Sequence, residues 1–508
     1  MRSVPTESAI RRALPGALCL FALGSALIAC EPGKPARPEP AAAGPRPARL
    51  LTAEQCAEAV GLASGGAAAG ERAALPDIVL IQVDTLRADH LGAYGYARAT
   101  SPNLDRFAKH GVRFEHAFAT WPETSQSLAG MMTSSFSDRT GVRQIRSALP
   151  LSALTLAEVL DCAGYATAGL VANGNAGREF QFDQGFDEYF EFWKERRGAT
   201  GGQRGSDVAE RVGGAAIEWL EARSALRRAA GDRPVAPFFL WTLFIDPHGP
   251  YDPPAPFDRM FEGDAIAAAD EREIVDKDTQ PYQWLGHGRV RDYVAAYDGE
   301  IAYWDAWFGR LLETLDALPG ADDALVIFTA DHGEALGEHG LYFQHGTSAQ
   351  RAQSHVPLIV RAKALAPGVV VAPVSLVDLA PTLLELAGLP IPVAFDGQSL
   401  APLARGETTA GRPVVTESKH ELALTDEGFR MIVDSRSRRI GLYAHRSDPD
   451  ERENLVTRHP EVAARLEQQT TQWLAAHGEA PARRVAEQRS EPVSPATLEQ
   501  LKHLGYVD

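Results

Sequence analysis

Positive charge is scarce in this chain of 508 residues: 50 lysines and arginines face 67 aspartates and glutamates, for a formal net charge of −17. That balance repels a phosphate backbone and argues against nonspecific nucleic-acid binding. A small anionic substrate stays open, because a bound metal can invert the local field. Long apolar runs are lacking too. Ala13 to Ala29 is apolar but too short and too rich in small residues for a comfortable bilayer span. Cysteine is rare, with four in all. Cys19 and Cys30 fall in the N-terminal segment, so Cys56 and Cys162 remain, either paired in an oxidising compartment or as two buried thiols. Internal repeats are absent. What is present, 45% hydrophobic and 23% charged residues, suits a globular protein with one large domain and a smaller satellite.

The N-terminus reads as an export signal over residues 1–29: Arg2, Arg11 and Arg12 precede the apolar run. It ends in Leu27-Ile28-Ala29-Cys30, which resembles a bacterial lipobox and implies lipidation at Cys30. The alternative is an ordinary signal peptide with a chance cysteine. By resemblance to bacterial lipoproteins, Glu31 rather than Asp after the cysteine implies the outer membrane, if the cell envelope has one, with the lipid anchor as the only membrane contact. Residues 30–75, rich in Pro, Ala and Gly, are expected to be a tether, most clearly in their first part.

From Pro76 the pattern changes. Ile78 to Val83 is a compact apolar run ending at Asp84, as in a buried strand whose carboxyl end reaches a site. Similar runs recur at Ala166 to Val171, Phe238 to Phe244, Leu325 to Thr329 and Leu358 to Val360. Helical patterns lie between them, at Asp207 to Leu220, Tyr293 to Leu315 and Leu376 to Leu386. Alternation of this kind predicts an α/β domain over 76–389, a large, mainly parallel sheet flanked by helices. Residues 390–508 read as a small α+β subdomain, with strands at Phe429 to Val433 and Ile440 to Tyr443 and a helix from Pro460 to Leu474.

Ligands of such sheets sit beyond the strand carboxyl ends. Asp84, Asp246 and Asp331 all fall there. Asp84 suits a hard divalent cation or could cap the next helix; Arg87 and Asp89 beside it read as a local ion pair or cap. Asp331 and His332 can both reach one metal if the backbone turns sharply at Gly333. Glu334, Glu338 and His339 take no assigned role. Asp246-Pro247-His248-Gly249-Pro250 is a rigid loop that presents Asp246 and His248, and such rigidity suits a histidine held for proton transfer. The hydroxyls of Thr124, Ser125 and Ser127 precede a small-residue helical run; they could be N-caps, or could sit where an oxyanion is best stabilised.

The ordered series Asp84-Thr85-Leu86-Arg87-Ala88-Asp89-His90-Leu91-Gly92, Ser101-Pro102-Asn103-Leu104-Asp105, Asp246-Pro247-His248 and Asp331-His332-Gly333-Glu334 resembles the sulfatase family of the alkaline phosphatase superfamily. The resemblance runs from about Pro76 to Leu389, and the closing Leu501 to Val507 is also family-like. It implies an alkaline phosphatase-like fold and one divalent metal, with calcium, manganese and zinc undistinguished, on Asp84, Asp331 and His332. It implies an active-site role for His248 and a substrate-binding role for His345, with Asp246 beside the substrate.

This chain departs from the family at the nucleophile. The family carries Cys or Ser in Cys-x-Pro-Ser-Arg, converted to formylglycine; here alignment on Met131-Met132-Thr133 puts Thr124 there, so no formylglycine is expected. Thr85 replaces a second early Asp, and Asn173 and Asn175 lie where Lys-x-His is expected after Gly164-Tyr165. The Asp331-His332 pair resembles members that cleave phosphate or phosphonate diesters. Expected substrates are thus small anionic esters or sulfated or phosphorylated glycans, with Thr124 as nucleophile. The alternatives are a phosphodiesterase or phosphonate ester hydrolase, and a non-catalytic binding protein with the same fold.

Overall fold

The computed structural model describes residues 51–61, 75–193, 208–231, 233–263, 273–274, 288–435, 437, 440–477, 493–504 and 506. The expected signal segment, the lipidation candidate Cys30 and the first part of the tether lie outside them.

The apolar runs become strands. Those of the main sheet are β1 (Ile78–Val83), β2 (Val112–Phe118), β3 (Ala166–Val171), β4 (Glu188–Glu191), β5 (Phe238–Phe244), β6 (Leu325–Ala330), β7 (His355–Arg361) and β8 (Gly368–Ser375). Their order across the sheet is β8-β2-β7-β6-β1-β5-β3-β4. Only β7 runs against its neighbours, pairing antiparallel with both β2 and β6; every other pairing is parallel. In β1, β5 and β6 every residue is buried, as expected for strands covered on both faces. The covering helices include α1 (Ala53–Ala59), α2 (Thr124–Thr133), α3 (Val208–Ala230) and α4 (Val290–Asp316).

Strand β2 does not read as an apolar run because its burial alternates at the start, Val112 and Phe114 inward and Arg113 and Glu115 half-buried. Such period-2 patterning is weaker than the continuous runs of the central strands.

The stretch expected as a tether is structured over residues 51–61, and residues 62–74 lie outside the described residues. Helix α1 opens with a capping box, Thr52 accepting from the Gln55 amide. Its Cys56 is disulfide-bonded to Cys162, 106 residues away, so of the two open alternatives the chain takes the pair.

Beyond the main sheet, β9 (Val414–Glu417), β10 (Glu421–Thr425), β11 (Arg430–Asp434) and β12 (Ile440–Tyr443) form an antiparallel four-stranded sheet covered by α5 (Pro460–His477). Its small core, with Val415, Leu424, Met431, Leu442 and Leu466, also takes in Phe136 and Val377 from the main domain. The last helix, α6 (Pro495–His503), does not stay with this sheet: Leu501 and Leu504 belong to the main core. No helix of the described residues is long and apolar enough to cross a membrane.

Candidate active site

Four adjacent parallel strands, in the order β6-β1-β5-β3, deliver polar residues at their carboxyl ends. Asp331 and His332 follow β6, Asp84 follows β1, Asp246 and His248 follow β5, and Asn173 follows β3. Residues far apart in the chain meet because these strands lie side by side with their ends level, Val83 opposite both Ala330 and Phe244.

One ligand atom from each of Asp84, Asp331 and His332 lies within 4.8 Å of the others, and all three residues are fully buried. His332 Nε2 is 3.6 Å from Asp84 Oδ1 and 3.6 Å from Asp331 Oδ2. The ring's other nitrogen, Nδ1, donates to the Gly333 carbonyl at 2.9 Å, which leaves the Nε2 lone pair facing the carboxylates. Asp331 Oδ1 accepts from the His332 amide at 2.8 Å and from the Thr85 amide at 3.3 Å; Asp84 Oδ2 accepts from Asn173 Nδ2 at 2.5 Å. Asp84 Oδ1 and Asp331 Oδ2 have no hydrogen-bond partner.

Burial is the main reason Asp84 is held well above the usual carboxylate range, with Asp331 beside it adding to the shift. Burial likewise pushes Asp331 up to about 7. Two desolvated carboxylates, each with an orphaned oxygen turned to a shared imidazole lone pair, fit a divalent cation.

Thr85, where the family has a second Asp, is held at φ 55° with its hydroxyl buried and without a partner. A β-branched residue in the left-handed region is strained, and such strain gathers at functional sites. The turn after Asp331 has another cause. Gly333 is not at positive φ; a Cβ there would sit 2.3 Å from the Ala352 carbonyl, so close approach of β7's leading turn requires the glycine.

Thr124 is the first residue of α2, not its N-cap. Its Oγ1 lies 3.3 Å from His332 Nε2 and 3.4 Å from Asn173 Nδ2, at the edge of the carboxylate cluster. Neighbouring Ser127 instead braces the Asp331 carbonyl at 2.6 Å, and the hydroxyl of Ser125 is buried without a partner.

His248 and His345 stand on the other side of the same space. Their rings meet edge-on at 4.9 Å between centroids, and His345 packs on His332 at 4.6 Å. Burial lowers the His248 pKa to about 3 and that of His345 well below the usual value. His345 Nδ1 is 3.2 Å from Glu334 Oε1. Glu334, left without a role by its motif, is fully buried in the site with its pKa pushed up to about 7, chiefly by burial. Asp246 lines a cleft of about 110 Å³ with His248, Phe192, Trp193, Arg211 and Glu300. Its carboxyl hydrogen-bonds that of Glu300, which burial and Asp246 hold well above the carboxylate range. Arg87 is structural, as its neighbourhood suggested: it pairs with Asp89 and also with Glu338, both at 2.7 Å.

Tyr506 is a further site residue that motif reasoning missed. Its hydroxyl lies 3.3 Å from Thr124 Oγ1, 2.9 Å from His248 Nε2 and 3.3 Å from His345 Nε2. The one signal for it was the family-like closing segment, which carried no chemical role.

Comparison with known proteins gives a consistent result. The sulfatase family profile matches residues 76–389. The choline-sulfatase of Rhizobium meliloti is 27% identical over 372 residues, 65% of this chain and 72% of that protein. An arylsulfatase of Clostridium perfringens is 25% identical over 440 residues, 75% of this chain and 90% of that one. Among solved structures, the phosphonate monoester hydrolase of Agrobacterium radiobacter superposes with a TM-score of 0.61 at 23% identity, covering 81% of this chain and 97% of that one, which establishes the shared fold.

Proposed function

This chain belongs to the sulfatase family and is a sulfuric- or phosphoric-ester hydrolase, and from that premise we propose that it cleaves its ester by nucleophilic attack from Thr124 rather than from a formylglycine. One observation carries the reading: the Thr124 hydroxyl stands 3.3 Å from His332 Nε2, beside two buried carboxylates with orphaned oxygens. Asp84, Asp331 and His332 would hold the divalent cation. When bound, it supplies positive charge against the ester's oxygens and lowers the pKa of a nearby hydroxyl.

The chain's own groups do the rest. Thr124 Oγ1 bonds to the sulfur or phosphorus as the bond to the leaving oxygen breaks in line with it. His248, fixed by its Nδ1 hydrogen bond to the Gly249 carbonyl at 2.7 Å, faces the leaving oxygen with Nε2 and delivers to it the proton that Thr124 gives up in attacking. Asn173 holds Asp84 and Thr124 in register through one amide nitrogen. His345 and Asp246 flank the bound ester, Asp246 on the leaving-group side with the cleft beyond it.

A threonine ester cannot expel its oxyanion by collapsing to an aldehyde, as a formylglycine hydrate can; a second attack by water must release it. That difference favours a phosphate or phosphonate ester as the second reading of the substrate, beside a sulfate ester. The site belongs outside the cytoplasm, on a lipid anchor at Cys30; the Cys56–Cys162 disulfide supports an oxidising compartment.

The test is turnover on matched aryl sulfate, phosphate monoester and phosphodiester panels. Thr124→Ala is expected to lower kcat by about 10³-fold or more on whichever class is cleaved. Unimpaired turnover in that variant removes Thr124 from the mechanism, and ester binding without turnover in the wild type identifies a binding protein instead.

A further inference from the structure

Tyr506 arrives at the centre of the site on an element built to hold it there. Ser494 caps α6 by accepting from the Thr497 amide at 3.2 Å. The Thr497 hydroxyl accepts from Trp193 Nε1 at 3.1 Å, and Gln500 Nε2 donates at 2.6 Å to the carbonyl of Ala172, the residue just before Asn173. Leu501 and Leu504 are buried in the main core. Past the helix, the Tyr506 amide bonds back to the Leu501 carbonyl at 2.8 Å and fixes where the phenol points.

The donors and acceptors around that phenol form an ordered chain. His248 spends its Nδ1 proton on Gly249, so Nε2 offers a lone pair to the Tyr506 hydroxyl at 2.9 Å. The Tyr506 oxygen has lone pairs besides, within reach of the Thr124 hydroxyl at 3.3 Å and of His345 Nε2 at 3.3 Å. Thr124 has three other neighbours: His332, the Asp331 carboxylate and the Asn173 amide nitrogen. His332 and Asp331 belong to the proposed cation, and the amide nitrogen is a donor. Tyr506 is therefore the acceptor left for the proton of Thr124.

We propose that Tyr506 is a catalytic residue, its phenol passing the proton of Thr124 to His248 as Thr124 attacks. The inference rests on Thr124 being the nucleophile. As the bond from Oγ1 to sulfur or phosphorus forms, the Thr124 proton moves to the Tyr506 oxygen and the Tyr506 proton moves to His248 Nε2. The ester bond breaks with its electron pair on the leaving oxygen, and that oxygen takes the proton from His248. Tyr506 ends as it began, and no proton is drawn from solvent. Burial that keeps His248 neutral until the attack agrees with this order, since a histidine whose one ring proton is held at Nδ1 must be given another at Nε2.

Tyr506→Phe keeps the ring and its packing and removes only the hydroxyl. With a series of substituted phenyl esters of the cleaved class, the variant should keep the wild-type melting temperature and KM. Its kcat should fall about 100-fold on the phenyl ester and about 10-fold on the 4-nitrophenyl ester, whose leaving oxygen needs protonation less. The same leaving-group trend should appear in His248→Ala, and the double variant should lose no more than either single one. An unchanged kcat overturns the inference, as does a loss equal across the series or one that adds to that of His248→Ala. Thr124→Ala separates the two levels. If it is inactive while Tyr506→Phe is unimpaired, only the role of Tyr506 fails; if it is fully active, the nucleophile assignment fails first.

Discussion

Asp84 and Asp331, at the ends of β1 and β6, are fully buried and each leaves one carboxylate oxygen without a protein partner. Asp298, equally buried on α4, is treated in the opposite way. Its oxygens receive His90 Nδ1 at 2.7 Å, the Tyr96 hydroxyl at 2.6 Å and Arg98 Nη1 at 2.7 Å. At the junction beneath the C-terminal sheet charge answers charge: buried Arg430 pairs with buried Glu451 at 3.1 Å, lies over Phe118 and donates to Ser354 Oγ at 2.8 Å. Where the protein answers a buried charge from within, the charge serves the fold; where it does not, the answer must come from outside. Burying an uncompensated charge is costly enough that the rim is readable as a ligand site from its orphaned atoms.

The comparison breaks most sharply by amide substitution. Asp84→Asn should lower kcat by about 10³-fold or more. Stripped of metal, the same variant should unfold at the same temperature as wild type or higher, because it removes an unpaired buried charge. Asp298→Asn should do the reverse, destabilising by about 3–5 kcal/mol as Arg98 loses its counter-charge, with activity retained in the folded fraction. Parallel melting curves and turnover assays measure both.

Next in size is Arg430→Met, which strands Glu451 and should cost about 3–5 kcal/mol in denaturant unfolding. Adding Glu451→Leu should recover most of that loss, since replacing both charges by apolar groups is often neutral. The rim allows no such rescue of activity.

The smallest effects are in pH. Burial lowers His116 to about 3 and His445 to about 4, beside Arg351 and Arg446. Their unfolded pKa is about 6.5, so their contribution to stability is complete above that value and is lost as pH falls through the folded values. The rim has the opposite sign. Asp331 rises to about 7 from about 3.9 unfolded, so in metal-free protein its contribution is complete below the unfolded value and is lost as pH rises through about 7. A melting profile of chelated protein should therefore fall away on both sides. Added metal should lift the alkaline side alone, and His445→Gln should flatten the acid side by about 1–3 °C, at roughly 1 °C per kcal/mol for a chain this large.

The central strands and the rim were legible because continuous apolar runs ending in Asp are a local signal, and Asp84, Asp331 and His332 sit directly after them. Thr124 and His345 needed family alignment, since a hydroxyl at a helix start and a lone histidine have many structural uses. Other features come from tertiary placement. Tyr506 lies 382 residues from Thr124, Glu334 looks like any loop carboxylate, and the positive φ of Thr85 leaves no trace in composition. Cys56 and Cys162 could be counted, but only the packing of α1 against the helix Leu156–Cys162 brings them together. The antiparallel run of β7 was hidden for a similar reason: strand direction is set by the connections, not by the apolar pattern.

The most direct test of the central claim is calorimetric titration of chelator-stripped protein with calcium, manganese and zinc, in wild type and in Asp84→Asn, Asp331→Asn and His332→Ala. One ion should bind per wild-type chain, and each substitution should weaken binding of that ion by at least about 10-fold. Equal binding in wild type and all three variants would contradict the account, because the buried carboxylates and the imidazole would then not be the ion's ligands.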